Sequence, residues 1–230
     1  MKSLIAGLLL STAGWLVKAP PAHLSRQGRT ASDTLRIEPA VRPPAFDGQA
    51  DSIEWGTPSL RIRKPGGEVL VWLRRSGGSV FLAAQIPDST FYWGDDLVVS
   101  IDTRGDRARS PQHDDFQWYF RRVLDSSVVY RGNDGRWMEP LGDPDWRLRQ
   151  EREGGGWEVR SVSTGSGWSL ELRLDPEWFA GEGGSSPGLA LRTYDDGPNR
   201  RFIWPDAPGL TQSTQLERRP DLWAVVTAAP

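Results

Sequence analysis

From residue 34 onward, apolar and polar positions alternate in short runs separated by Gly, Pro and Asp. A period of two marks strands with one buried face. It predicts strands over residues 34–38, 59–63, 68–74 and 79–86, the last two joined as a hairpin through Arg75-Ser-Gly-Gly78. Further strands are predicted over 96–102, 115–121, 127–131, 146–152, 157–163, 168–174, 188–194, 201–204 and 222–227. In 96–102, Leu97, Val99 and Ile101 share one face and leave Val98 and Ser100 on the other. In 115–121, Phe116, Trp118 and Phe120 share a face opposite Gln117 and Tyr119. The helical candidate is 175–179, where Asp175 can cap and Pro176 suits the first position. Many short strands with turn residues between them predict an all-β fold, a single antiparallel β-sandwich or jelly roll.

The first 33 residues break this pattern. Lys2 precedes an apolar run over residues 4–17 that is too short to cross a membrane comfortably as a helix. The expectation is a signal peptide over residues 1–22, with an uncleaved anchor as the alternative. Residues 23–39 then read as a polar linker with a candidate first strand, and 40–230 as the folded domain. Such a leader predicts export, to the periplasm or the extracellular space. The chain has no Cys, which removes disulfides, Fe–S clusters and Cys-based zinc sites. A sandwich of this size has enough core to fold without disulfides.

The formal net charge is −2, and Lys occurs only at positions 2, 18 and 64. The basic residues are mostly Arg, scattered among Asp and Glu. No basic stripe is present for nucleic acid or an anionic membrane, so neither is expected as a partner. The twelve Trp outnumber the four Tyr and the seven Phe. Most of these rings are expected in the core, and a few remain to stack on a planar or sugar-ring ligand.

Catalytic patterns are sparse. His23 and His113 are the only histidines, and His23 lies in the leader or linker. A two-His metal centre in the folded body is therefore impossible, and no Gly-x-Ser-x-Gly turn accompanies His113. The doublets Asp95/Asp96, Asp114/Asp115 and Asp195/Asp196 point to opposite faces if they lie on strands, so no doublet is a catalytic pair by itself. The protein is expected not to be an enzyme and to require no cofactor. Calcium is the candidate metal: Asp102-Thr-Arg-Gly-Asp106 followed by His113-Asp-Asp115 supplies oxygen ligands, with Asp102, Asp106 and Asp114 as the set. The alternative is a polar inter-strand loop. Met138 and Lys64 are the only Met and Lys of the folded body, and nothing places them together as haem ligands.

One ordered series of motifs spans roughly residues 40–227. Phe46-Asp-Gly48, Asp51 and Trp55 open it. Val71-Trp72 and Val80-Phe-Leu-Ala-Ala84 follow, then Ile86-Pro-Asp88, Trp93-Gly-Asp95, Ile101-Asp102 and Asp115-Phe116. Gly167-Trp168 to Glu171, Gly188-Leu to Asp195, Ile203-Trp204 and Asp221-Leu-Trp223 close it. The series resembles family 9 carbohydrate-binding modules, within the DOMON-like β-sandwich superfamily. It is also similar to related domains that precede outer-membrane barrels.

The resemblance implies a jelly-roll sandwich that holds a sugar between two aromatic rings over a polar sheet face. Trp93 matches one clamp tryptophan, and Trp204 lies in the region of the second. Alternation adds Gln117, Tyr119, Arg192 and Tyr194 to the same expected ligand face. The expected partner is a mono- or oligosaccharide. Departures are visible: the family's sugar-binding Glu falls at Val98, its Arg falls at Gln117, and its second clamp segment has no clear counterpart around residues 216–220. They leave open a second reading, an envelope structural or protein-interaction module with a degenerate sugar site.

Overall fold

The computed structural model describes residues 34–122, 128–138, 156–195, 199–206 and 216–228. The leader expected over residues 1–22, the linker expected over 23–33 and the strand expected over 146–152 lie outside the described residues. The described strands are β1 (Thr34–Pro39), β2 (Leu60–Lys64), β3 (Gly67–Ser76), β4 (Ser79–Pro87), β5 (Asp96–Asp102), β6 (Asp115–Arg121) and β7 (Val128–Asn133). They continue as β8 (Arg136–Met138), β9 (Trp157–Thr164), β10 (Gly167–Leu174), β11 (Gly188–Asp195), β12 (Arg200–Trp204) and β13 (Ala224–Ala228). One short helix, α1 (Ser52–Trp55), interrupts them. Residues 176–179 form a 3₁₀ turn where a helix was expected, and Asp175 makes no side-chain cap there.

The strands form one hydrogen-bonded path, β8-β7-β6-β5-β11-β13-β1-β3-β4-β10-β9, with β12 also on β11 and β2 also on β3. The joint is β1. Its first residues pair with β13, and Glu38 and Pro39 pair with β3. The path thereby becomes two layers, one built around β5, β6 and β11 and the other around β3, β4 and β10. Both β1 pairings are parallel, so among the described strands the expected antiparallel sandwich holds except at this strand. Parallel neighbours need a crossover rather than a tight turn. The segment carrying α1 and β2 supplies it between β1 and β3.

Alternation fills the space between the layers. Val69, Val71, Leu73, Leu82, Ala84, Leu170 and Leu172 meet Leu97, Val99, Ile101, Trp118, Phe120, Leu189 and Leu191 in one apolar cluster. Most are fully buried, each stabilising the fold by about 1.5–3 kcal/mol relative to exposure. The Trp118 ring meets Trp178 edge-on at 4.8 Å, and Phe116 meets Trp178 at 4.7 Å.

The outer face of the β3/β4/β10 layer is closed by residues 46–56. Trp55, Trp72, Phe81, Ala83 and Ala50 form a second apolar cluster there, with Phe46 against it. Asp51 caps α1, accepting from the N–H groups of Ile53 and Glu54. The fully buried Glu171 of β10 accepts from Gly48 N at 2.8 Å and from Trp55 Nε1 at 3.1 Å. Gly48 sits at φ 91°, and a Cβ there would come within 2.9 Å of the Ser161 backbone. The Asp-Gly…Asp…Trp opening is thus a fastening that leaves the other layer's outer face as the place for a site.

Candidate functional site

The outer face of the β5/β6/β11 layer carries the side chains that alternate with the core. Strand register sets them in rows. Gln117, Ser100 and Ala190 form one row across β6, β5 and β11. Tyr119, Val98, Arg192 and Ile203 form the next, reaching β12, and Arg121, Asp96, Tyr194 and Arg201 form the third. The structure therefore brings Gln117, Tyr119, Arg192 and Tyr194 onto one face, as alternation required.

The centre of this face is a buried polar network. Arg192 donates to Asp96 Oδ2 at 3.2 Å and is ion-paired with Glu217 on its other side. Its guanidinium lies 5.2 Å from the centre of the Tyr119 ring. Gln117 Nε2 donates to Ser100 Oγ at 3.2 Å. Burial pushes the Asp96 carboxyl up to about 6, with Arg192, Tyr119 and Arg121 pulling it back. Burial raises Glu217 too, against Arg192, Arg201 and Arg218. Burial opposes the charge of Arg192, but Asp96, Glu217 and Tyr119 outweigh it and hold its pKa above the usual value.

Beside this network stands a loop of three exposed aromatics, Phe91, Tyr92 and Trp93, of which Trp93 is 63% exposed. The Arg121 guanidinium lies between two rings, 4.4 Å from the centre of Trp93 and 4.7 Å from that of Tyr119. The loop is held from below by Arg122, which is 6% exposed. Arg122 donates to Gly167 O at 3.1 Å, to Thr164 O at 3.3 Å and to the Thr90 carbonyl. It also faces the carboxylates of Asp88 and Asp95 at 3.9 and 3.7 Å. Asp95 Oδ2 accepts from Tyr92 N at 2.9 Å, which fixes the backbone next to Trp93.

The opposite border is residues 216–223. Leu216 and the fully buried Trp223 pack against Ala190 and fill that end of the face. Trp223 Nε1 donates to Leu216 O at 2.8 Å, and Trp137 Nε1 donates to Glu217 O at 3.1 Å. The expectation for Trp204 needs correction. Trp204 pairs with Leu191, not with Arg192, so it shares Leu191's parity and packs against the main core. One residue of register on β12 sends a side chain to the other face, and Ile203 takes the outward place. Asp96, Arg121, Arg201 and Glu217 were not among the expected site residues. The first two share parity with Val98 and Tyr119, so alternation already carried them. Glu217 comes from a segment with no strand period.

The acidic loop also assembles. Carboxylate oxygens of Asp102, Asp106 and Asp114 lie within 4.8 Å of one another. Asp102 accepts from Gly105 N at 2.6 Å and Arg107 N at 3.1 Å. Asp115, paired across the strands with Asp102, accepts from Gln112 N at 2.7 Å. Asp114 Oδ2 and Asp115 Oδ1 are buried and make no hydrogen bond among the described residues. Burial first, then the charges of Asp102, Asp114 and Asp106, push Asp115 up to about 8, against its bond from Gln112. A second carboxylate group, Asp47, Glu54 and Glu171, differs: both oxygens of Glu171 are already used in fastening residues 46–56.

No protein-family model matches the chain, and no curated protein does. Solved structures do match its fold. One is a carbohydrate binding module family 9 from Caldicellulosiruptor kristjanssonii in complex with glucose, with a TM-score of 0.55 and 15% identity over 85% of this chain and 95% of that chain. Another is a family 9 module from the same organism in complex with cellotriose, with a TM-score of 0.53 and 16% identity over 85% of this chain and 93% of that chain. The chain therefore has a family 9-like β-sandwich fold.

Proposed function

We propose that this protein is a non-catalytic carbohydrate-binding domain of an exported protein, holding a mono- or oligosaccharide on the outer face of the β5/β6/β11 layer. The observation that carries this reading is Trp93, 63% exposed on a loop braced by a buried arginine and joined through Arg121 to the face that carries Gln117, Tyr119, Arg192 and Tyr194. An indole face offers an apolar platform to a sugar ring, and planar polar side chains around it take up hydroxyls. The matched modules were solved with glucose and cellotriose, which supports the reading. With Trp204 turned to the core, stacking falls to Trp93, with Tyr92 and Phe91 on the same loop. Electrophoresis through gels containing soluble polysaccharides tests it: migration is expected to slow in at least one polysaccharide and to recover in Trp93→Ala. Unchanged migration in every gel would count against it.

A second reading is an envelope protein-interaction module. It is favoured by Leu216 and Trp223, which occupy one end of the face that a sugar would otherwise reach. Retention of one envelope protein on the immobilised domain, in the absence of sugar binding, would select it.

We also propose a structural calcium ion at Asp102, Asp106 and Asp114. Within this set Asp114 Oδ2 is buried without a donor among the described residues, as is Oδ1 of the adjacent Asp115, which suits a hard cation that takes several oxygen ligands. The ion would brace the 102–115 loop, whose Arg107 donates to Trp223 O at 2.6 Å and so ties the loop to the edge of the ligand face.

A further inference from the structure

Among the described residues, the proposed sugar face carries charge opposite in sign to that of the whole chain. The chain carries a formal net charge of −2. On the face itself, Arg121 and Arg201 occupy the third row and Arg192 the second, with the exposed Arg218 acting on Glu217 from the bordering segment. The facing carboxylates among the described residues are Asp96 and Glu217, and both are engaged with Arg192. Among the described residues, arginines therefore outnumber carboxylates where a ligand would lie above Trp93 and Tyr194.

The arginines are also posed for a particular kind of contact. Arg121 has aromatic rings at 4.4 and 4.7 Å, and Arg201 lies 5.1 Å from the centre of the Tyr194 ring. A guanidinium stacked on a ring makes its hydrogen bonds in its own plane, at its N–H edge. That edge matches the two oxygens of a carboxylate or sulfate better than it matches a single hydroxyl. Stacking also limits the rotamer freedom that a surface arginine would otherwise lose on binding.

We infer that the ligand is an anionic sugar, a glycan bearing carboxylate or sulfate groups, whose ring stacks on Trp93 and whose acidic group meets the arginines of the third row. This rests on the carbohydrate reading and narrows its ligand class.

Calorimetric titration of the wild-type protein with trigalacturonate, its methyl ester, a sulfated oligosaccharide of similar length and cellotriose tests the inference. The methyl ester keeps the sugar frame and removes the charge. One of the two anionic ligands is expected to bind on the order of tenfold more tightly than the ester and cellotriose, and which one does so separates carboxylate from sulfate. The preference is expected to weaken as salt rises, and to fall toward parity in Arg121→Gln and Arg201→Gln. Equal or tighter binding of cellotriose or the ester would overturn the anionic assignment and leave the carbohydrate reading standing. No heat with any sugar, from protein whose circular dichroism shows it folded, would overturn that reading and this inference with it.

Discussion

Arg122 decides whether the aromatic loop is a fixed surface or a loose one. It is buried, it holds the backbone at Thr90 and Gly167, and it is the cation facing Asp88 and Asp95. Replacing it by Ala removes the cation that faces two buried carboxylates, a change that costs about 3–5 kcal/mol. Urea unfolding of Arg122→Ala is expected to show that loss, and the affinity for sugar to fall with it. Stability within 1 kcal/mol of wild type would contradict the bracing role. Asp96 makes a different residue-scale prediction. Its carboxyl stands near 3.8 in the unfolded chain and is pushed up to about 6 in the fold, so the folded state holds the proton more tightly. Its contribution to stability is complete below about pH 4, declines as pH rises to about 6, and is flat above that. Asp96→Asn removes the dependence, so the wild-type minus mutant difference in unfolding free energy should fall from pH 4 to 6 and then level. A difference that rises over that range would refute it.

At the level of elements, the fastening of residues 46–56 turns on Glu171. Glu171→Ala leaves the Gly48 N–H and the Trp55 indole N–H without their acceptor and opens a cavity under the segment. A loss of about 2–4 kcal/mol is expected, and amide hydrogen exchange should accelerate across 46–56 while the main core stays protected. Uniform acceleration would contradict a local fastening. The same elements show how much the sequence exposes. Residues 96–102 and 115–121 alternate so strictly that both strands, and the face of Gln117 and Tyr119, follow from the pattern. β8 escaped because it has three residues, although Asp134 and Gly135, both at positive φ, make the two-residue turn before it. Trp204 was misplaced because β12 lies where a strand is certain but its register is not, and register decides the face. Glu217 was illegible for another reason: residues 216–219 carry no period, and the carboxylate reaches Arg192 only because Leu216 and Trp223 are buried against Ala190. The acidic loop was legible in composition, since Asp102, Asp106 and Asp114 were the expected set, but closeness across β5 and β6 is a property of strand pairing.

At the level of the whole molecule, the sandwich is one continuous hydrogen-bonded path that closes through β1, and its two outer faces have different roles. One is sealed by residues 46–56. The other is bordered by the aromatic loop on one side and by residues 216–223 on the other. The proposed calcium ion would tie β5, β6 and residues 216–223 together, so its effect belongs to this scale. Calcium at about 100 times its Kd is expected to add about 2.7 kcal/mol to stability, read as a rise in the thermal midpoint that is reversed by a chelator and absent in Asp102→Asn/Asp106→Asn. A midpoint indifferent to millimolar calcium would exclude the ion. An exposed indole on a braced loop, proposed as the platform for a sugar, has a direct optical readout, because Trp93 is the most exposed tryptophan among the described residues. Tryptophan fluorescence of the protein is titrated with neutral and acidic oligosaccharides, beside Trp93→Ala. A saturable change is expected with at least one sugar in the wild type and none in the mutant, with both proteins unfolding at similar temperature. A flat titration with every sugar, or a saturable change that survives in Trp93→Ala, would contradict it.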